Sequence, residues 1–450
     1  MPENGAPFHR SSFFIVTLGC FRNEVESDIL RGALIRLGFE ENSDARSSDI
    51  ALVNTCGFIR EACDEAIDTI LELDEELSSV EPRPPILVVG CMAQRYPGLI
   101  DAMPEVQGLL GAGWSEELQA ALEALLEGDS YSGGRRRPAL APPERLIDSS
   151  TGNSLFVRVA DGCARACAFC TIPSIRGPYR SRPVDEVYSE VERLCKDSER
   201  EVILLAQDLS YYGTDLGEPM LSVLLEQLSL INNARWLRML YLQPEGVTDS
   251  LIETVAANKK VCHYFDIPFQ HASGEVLRGM GRPGEGGAHL ALIEKIRDIA
   301  QDASIRTTLM VGYPGETEAD FDELERFVRE ARFDWMGAFC YSREDGTKAA
   351  RLSSDTVPLE VARQRYVKIL EVQEEVEESR SSSMIGRVLE VVIDGPPEPG
   401  EPGARARSYR EAPVVDGLIY LQGSVASNGF ALARITGREG LDLIAEVIEE

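Results

Sequence analysis

The sequence is poor in histidine, in basic residues and in long apolar runs, and each shortage excludes a class of protein. Four histidines in 450 residues provide few imidazole ligands for zinc. No apolar run reaches the length of about 18 residues that indicates a transmembrane helix. The first residues lack the basic and apolar segments of a secretory signal, so we expect a cytoplasmic protein. Ten cysteines in such a chain do not indicate a disulfide scaffold, and we expect them to be reduced.

Basic residues are outnumbered by acidic ones, with 45 Lys and Arg against 75 Asp and Glu, and the net charge is −30. This balance disfavours a large nucleic-acid-binding surface, because phosphate contacts require cationic side chains. It is compatible with a basic protein partner or with solubility alone. The three arginines at 135–137 fit either a local RNA contact or a solvated basic turn.

Three cysteines, Cys163, Cys167 and Cys170, are spaced C-x3-C-x2-C directly after the apolar run 155–160. An iron–sulfur cube usually takes four thiolates, so three would leave one iron open to a small molecule. The alternative is a structural zinc site, which requires a fourth Cys or His nearby. No histidine follows the motif closely. The pattern therefore favours an iron–sulfur cluster.

Three further cysteines end apolar runs near the start of the chain. The runs are 13–20, 50–56 and 86–91, and they end in Cys20, Cys56 and Cys91, which are 36 and 35 residues apart. Helix-like segments at 24–37 and 61–77 separate them, which predicts βαβ units and a buried parallel sheet. Since the carboxyl ends of such strands share one edge, we expect these cysteines to converge on a second metal site. The alternative is three structural core cysteines.

From residue 154 the chain predicts a complete or partial (β/α) barrel. Six apolar runs alternate with helix-like segments such as 183–196 and 318–331. The runs are 155–160, 201–207, 236–241, 263–268, 306–312 and 335–341. The cysteine motif, Gln207, Gln270 and the turn 312–315 follow four of these runs, which places them on the rim where barrel enzymes bind ligands.

The end of the chain changes character after a charged helical segment at 358–380. Residues 383–450 alternate short β-like runs with Pro- and Gly-rich loops, which predicts a small antiparallel β-barrel. This segment carries six Lys and Arg against eleven Asp and Glu. The predicted organisation of this α/β chain is an N-terminal domain at 1–127, a linker at 128–153, a core at 154–382 and the barrel at 383–450.

Several short motifs occur together in this sequence. Cysteines occur within the motifs G-C at 19–20, N-T-C-G-F at 54–58 and G-C at 90–91. The C-x3-C-x2-C motif precedes I-P-S-I-R-G at 172–177 and S-R-P at 181–183. In this combination the whole chain from about residue 13 resembles the radical S-adenosylmethionine methylthiotransferases. The resemblance implies an N-terminal methylthiotransferase domain, a central radical barrel and a C-terminal TRAM-type barrel that binds the macromolecular substrate.

The resemblance also implies the cofactors. A 4Fe-4S cluster that binds S-adenosylmethionine is held by Cys163, Cys167 and Cys170, and an auxiliary 4Fe-4S cluster is held by Cys20, Cys56 and Cys91. Two S-adenosylmethionine molecules are used, one as the source of a 5′-deoxyadenosyl radical and one as the methyl donor, and an electron donor is required. Candidates for the S-adenosylmethionine pocket are Gln207, Gln270, Gly312 and Gly315. The cysteines at 63, 195, 262 and 340 fit core positions.

Two branches of that family differ in substrate. Segments 172–177, 207–213, 266–273 and 407–417 resemble the branch that modifies the β-carbon of an aspartate in small-subunit ribosomal protein S-twelve. The acidic terminal domain agrees, because ribosomal proteins are basic. Two features depart from that branch: Phe21 stands where it commonly has proline, and G-C-M-A-Q at 90–94 is closer to the branch that modifies adenosine in transfer RNA. A non-enzymatic iron–sulfur scaffold or electron carrier is the third hypothesis.

Overall fold

The computed structural model describes residues 11–134, 145, 153–352, 356–423, 425 and 428–448. The chain forms two compact units. The first comprises the described residues before 150 together with 160–166 and 170–182, and the second comprises 153–159, 167–169 and the described residues from 183 onward. Within these ranges no helix is both long and apolar enough to cross a membrane.

The first unit is built on a parallel sheet with six strands among the described residues, in the order β2-β1-β3-β4-β5-β6. The strands are β1 (Ser12–Thr17), β2 (Glu40–Glu41), β3 (Ile50–Thr55), β4 (Ile86–Gly90), β5 (Gly108–Leu110) and β6 (Tyr131–Ser132). The parallel sheet predicted from the three cysteine-ended runs is confirmed, and these runs form the adjacent strands β1, β3 and β4. Strand β6 lies within the segment predicted as a linker, whose arginines at 135–137 lie outside the described residues.

Helices cover the sheet of the first unit on both faces. They are α1 (Phe21–Leu37), α2 (Arg60–Leu77), α3 (Cys91–Arg95), α4 (Leu99–Ala102) and α5 (Leu118–Leu126). Strand β3 is buried at every position, as expected for a central strand of a doubly covered sheet. Helix α2 packs Ala66, Ile70 and Leu73 into the core, which is the spacing of one helical face. A short antiparallel pair, β8 (Ala160–Asp161) and β9 (Arg180–Ser181), completes this unit's strands.

The second unit contains the predicted partial barrel. Strands β7 (Ser154–Arg158), β10 (Arg200–Leu205) and β11 (Ala234–Met239) form one parallel sheet, and β12 (Tyr264–Asp266), β13 (Ser304–Val311) and β14 (Trp335–Cys340) form another. A parallel bridge between Leu237 and Val261 links the two sheets. The described helices of the two units from residue 172 onward are α6 (Ile172–Arg176), α7 (Val184–Leu194), α8 (Leu221–Ser229), α9 (Asp249–Ala257), α10 (Gly274–Gly279), α11 (Gly286–Ile299), α12 (Glu318–Ala331) and α13 (Leu359–Ser382).

The C-terminal residues form a closed barrel in the order β15-β16-β17-β19-β18. Its strands are β15 (Val388–Gly395), β16 (Ala404–Arg407), β17 (Ile419–Gln422), β18 (Gly429–Glu439) and β19 (Asp442–Val447). The predicted small barrel is confirmed. One pair, β17 with β19, runs parallel. Strand β18 lies between them in sequence, and it closes the barrel by pairing antiparallel with both β19 and β15.

A buried ionic network joins this small barrel to the core strands of the same unit. Arg407 of β16 contacts Glu201 of β10 at 2.8 Å, and Arg238 of β11 contacts the other Glu201 oxygen at 2.5 Å. The three side chains are almost completely buried. Arg238 also donates to the Ser408 carbonyl oxygen at 3.0 Å. Because Glu201 is at the amino end of β10, the small barrel packs against the strand edge opposite the predicted ligand-binding rim.

Helix α13 buries a carboxyl group, which predicts a pH-dependent stability. Burial raises the pKa of Glu377 from 4.5 to about 7, although Gln373 donates a hydrogen bond to it at 2.8 Å. The raised folded-state pKa stabilises the fold fully below pH 4.5, and this stabilisation is lost as the pH rises through about 7. Glu377→Gln should therefore raise the free energy of unfolding at pH 8 by about 3 kcal/mol and change it little at pH 4.5. Thermal unfolding at both pH values tests this, and an equal shift at both would contradict it.

Candidate metal centres

Cys20, Cys56 and Cys91 follow the carboxyl ends of three neighbouring parallel strands. Cys20 precedes α1, Cys56 comes directly after β3, and Cys91 begins α3 directly after β4. Since β1, β3 and β4 are adjacent in the sheet, the three cysteines lie along one edge, as the sequence predicted. Cys20 is exposed, Cys56 is partly buried and Cys91 is buried. The three thiols at this edge therefore differ in their exposure to solvent.

Two motif glycines allow the cysteine-bearing loops to approach each other closely. A β-carbon on Gly19 would lie 2.7 Å from the Cβ of Cys56 and 3.4 Å from its Sγ. A β-carbon on Gly57 would lie 2.7 Å from the backbone nitrogen of Met92 and 2.8 Å from the carbonyl carbon of Cys91. Any larger residue would push the loops apart. The G-C and C-G elements of the motifs are thus required for the thiols to be neighbours.

The electrostatics of these thiols reflect their burial and proximity. Burial raises the pKa of Cys56 to about 12, and the nearby thiols of Cys91 and Cys20 add to the effect. Burial also raises the pKa of Cys91, while the Arg176 guanidinium, whose Nη2 lies 3.1 Å from the Cys91 Sγ, opposes it. A metal can bind such thiols only as thiolates, by displacing their protons.

The C-x3-C-x2-C motif lies in the irregular segment between β8 and α6. In the first unit, the Cys163 amide donates to the Gly177 carbonyl oxygen at 3.2 Å, and the Arg165 amide donates to the Cys163 Sγ at 3.4 Å. In the second unit, Arg282 reaches the Cys167 Sγ at 3.8 Å and donates to the Pro268 carbonyl oxygen at 2.7 Å. No set of three or more Cys, His, Asp or Glu in the described ranges is already arranged to hold a metal ion.

Gln207 and Gln270 lie on the predicted rim and carry unsatisfied oxygens. Gln207 follows β10, and Gln270 follows β12 and bridges to Leu309 of β13. Their Oε1 atoms are buried and accept no hydrogen bond from the described residues. Gln270 and Tyr241 also have positive φ values, 69° and 62°, which are costly for residues with side chains and concentrate at functional sites. Two buried acceptors on a strained rim fit a polar ligand.

Gly312 and Gly315 differ in what surrounds them, which predicts different costs of substitution. Gly312 has φ +74°, and an added β-carbon would lie 2.5 Å from the Ala362 Cβ on α13, whereas Gly315 has φ +89° and open space around it. Gly315→Ala should cost about 1–2 kcal/mol of stability from backbone strain. Gly312→Ala should cost a further ~1–3 kcal/mol from overpacking. Urea unfolding of the two variants tests this, and equal midpoints would contradict a packing role for Gly312.

Two arginines near the cysteines were missed by the sequence reasoning. Arg176 is part of the I-P-S-I-R-G motif, so the motif marked the position but not its contact with Cys91. Arg282 belongs to no motif that we identified, and its approach to Cys167 depends on tertiary packing. The four cysteines expected in the core are buried at 63, 195 and 262 and half-buried at 340.

Comparison with known families agrees with the three parts of the structure. Residues 12–111 match Uncharacterized protein family UPF0004, residues 157–328 match the Radical SAM superfamily, and residues 385–448 match the TRAM domain. The structure resembles that of the radical S-adenosylmethionine methyltransferase TsrM from Kitasatospora setae, with a TM-score of 0.57 and 16% identity over 79% of this chain and 78% of that chain. That likeness supports the radical SAM fold.

Curated relatives identify the family. The chain is 38% identical to ribosomal protein uS12 methylthiotransferase RimO from Trichlorobacter lovleyi, over 97% of this chain and 98% of the relative. It is 40% identical to the protein of the same name from Pelotomaculum thermopropionicum, over 96% and 98%. The chain is therefore a radical SAM enzyme of the methylthiotransferase class, and the predicted fold class and enzyme class are confirmed. Within that class it belongs to the RimO family.

Proposed function

We propose that this enzyme adds a methylthio group to the β-carbon of an aspartate in ribosomal protein uS12. The observation that carries the proposal is the match of nearly the whole chain to relatives named for that activity. The negative charge of the chain, −30, supports a basic protein substrate and disfavours a polyanionic tRNA. We also propose that the enzyme acts in the cytoplasm, where ribosomes and an electron donor are present.

The two cysteine triads would hold the two iron–sulfur clusters. We assign Cys163, Cys167 and Cys170 to the 4Fe-4S cluster that binds S-adenosylmethionine, and Cys20, Cys56 and Cys91 to the auxiliary 4Fe-4S cluster. When bound, these groups supply radical chemistry for removing hydrogen from an unreactive carbon, and sulfur for transfer. Three thiolates per cluster fit this role, because the fourth position stays open for a small molecule.

The protein side chains would bind and orient the S-adenosylmethionine. The buried Oε1 atoms of Gln207 and Gln270 can accept hydrogen bonds from its amino or hydroxyl groups, which would remove the cost of leaving these acceptors unsatisfied. The turn containing Gly312 and Gly315 lies after β13 and would contribute backbone groups. We place the ligand on this rim because ligands of parallel barrels bind at the carboxyl ends of the strands.

The test uses anaerobically reconstituted, reduced enzyme with S-adenosylmethionine and sulfide. One reaction contains purified uS12 and a second contains unmodified tRNA. Mass spectrometry should find the mass of one methylthio group in place of hydrogen on an aspartate of uS12, and no change in the tRNA. Modification of an adenosine in the tRNA alone would overturn the substrate assignment and favour the tRNA branch.

A further inference from the structure

Arg176 is a buried arginine in direct contact with one cysteine of the auxiliary triad. It ends α6, and its side chain is 1% exposed. Its Nη2 donates to the Cys91 Sγ at 3.1 Å, and its Nη1 donates to Glu26 Oε1 on α1 at 2.9 Å. The guanidinium is therefore held between a carboxylate and a thiol sulfur.

The neighbourhood fixes the orientation of the guanidinium. Asp161 lies 3.9 Å from Arg176 Nη1 and forms its closer ion pair, at 2.6 Å, with Arg22. Arg22 and Glu26 are one helical turn apart on α1. The same face of this helix therefore supplies the partner of Asp161 and the partner of Arg176. Glu26 is 4% exposed and Asp161 is likewise 4% exposed. Such an enclosed network holds Arg176 in one position relative to the sulfur of Cys91.

A buried guanidinium needs anionic or strongly polar partners. A neutral thiol is a weak hydrogen-bond acceptor, whereas a thiolate bound to a metal accepts a charge-assisted hydrogen bond. The contact is thus suited to the metal-bound form of Cys91. The Arg95 guanidinium in the same region donates to a backbone group, the Gly57 carbonyl oxygen, at 3.0 Å.

We propose that Arg176 is a positioning residue that raises the reduction potential of the auxiliary cluster by donating a hydrogen bond to the Cys91 ligand. The proposal rests on the assignment of that cluster to Cys20, Cys56 and Cys91. Hydrogen bonds to ligand sulfurs and nearby positive charge stabilise the reduced, more negative state of an iron–sulfur cluster. Glu26 holds the guanidinium in place and partly offsets its charge. Removing each side chain should therefore shift the potential in opposite directions.

The experiment measures the potential of the auxiliary cluster alone. The full chain carries Cys163→Ala, Cys167→Ala and Cys170→Ala, so that iron binds at the other triad. Anaerobic redox titration followed by electron paramagnetic resonance then compares this background with Arg176→Gln, Arg176→Lys, Glu26→Gln and the matched control Arg95→Gln. The potential should fall most in Arg176→Gln, fall less in Arg176→Lys and in Arg95→Gln, which loses a nearby charge but no hydrogen bond to sulfur, and rise in Glu26→Gln.

The outcomes separate this proposal from the assignment of the cluster. Iron and sulfide analysis of the background protein tests whether Cys20, Cys56 and Cys91 bind a cluster at all, and absence of iron would overturn both proposals. Normal iron content with the same potential in Arg176→Gln and the background would overturn only the role of Arg176. If Arg176→Gln does not fold, Glu26→Gln decides, and an unchanged or lowered potential there would contradict the proposal.

Discussion

Replacing Cys20, Cys56 and Cys91 with alanine should abolish methylthio transfer while 5′-deoxyadenosine is still formed from S-adenosylmethionine. The reason is that the auxiliary triad would serve sulfur delivery, whereas cleavage of S-adenosylmethionine would need only the C-x3-C-x2-C motif. The loss of transfer should exceed the ~10–100-fold effect of removing an outer-shell partner, because ligands themselves are lost. Chromatography of 5′-deoxyadenosine and mass spectrometry of uS12, on the same reaction, measure the two activities.

The matched variants sharpen this prediction. Alanine at Cys163, Cys167 and Cys170 should abolish both activities. Cys63→Ala is the control for the auxiliary triad, because Cys63 is a buried cysteine of α2 in the same unit, and both activities should persist. If the variant of Cys20, Cys56 and Cys91 retained methylthio transfer, the auxiliary role of these cysteines would be wrong.

Removing Arg407 should cost ~3–5 kcal/mol of stability, since it leaves the buried Glu201 carboxylate with one of its two cationic partners. Arg407→Met keeps much of the side-chain volume and removes the charge. Arg405→Met is the matched control, because Arg405 lies on the same strand, β16, but forms partly exposed ion pairs, which are worth below ~1 kcal/mol. Urea unfolding of the full chain should show a large shift for Arg407→Met and a small one for Arg405→Met.

The same network predicts an acid-sensitive junction. Burial alone would raise the pKa of Glu201, but the guanidiniums of Arg407 and Arg238 outweigh it and lower the pKa from 4.5 to about 2. The ionised carboxylate therefore contributes its full stability above pH 4.5, and the contribution is lost as the pH falls through about 2. Glu201→Gln should show less acid destabilisation in this range. Equal acid sensitivity of the variant and the parent would contradict the stabilising role of the ionised Glu201 carboxylate.

The strands that carry the cysteines were predictable because local sequence determines them. The runs at 50–56 and 86–91 are nearly continuous apolar segments, and they form the buried strands β3 and β4. Strands β2 and β6 have two residues each, Glu40–Glu41 and Tyr131–Ser132, which is too short for any periodic pattern. Their pairing depends on the sheet edges already formed by β1 and β5.

The role of segment 407–417 was not predictable from its sequence. Its sequence resembled the branch of the family that modifies ribosomal protein S-twelve, and that resemblance carried no information about its contacts. In the structure its residues contact the core: Arg407 donates to Ser154, which is 253 positions away, and Asp416 pairs with Arg306 at 3.1 Å. Long-range contacts of this kind depend on the tertiary fold. Val414 and Val415 are the exposed residues of this segment, at 86% and 42%, so any contact of the segment with a substrate would be made there.

The measurement that tests the account most directly is the iron and sulfide content of the anaerobically reconstituted full chain, with Mössbauer spectroscopy to identify the clusters. Two 4Fe-4S clusters predict about eight iron atoms per chain. A chain in which one of the two triads is replaced by alanine should retain about four iron atoms. About four iron atoms in the parent, unchanged when Cys20, Cys56 and Cys91 are replaced, would contradict the second cluster and with it the proposed source of sulfur.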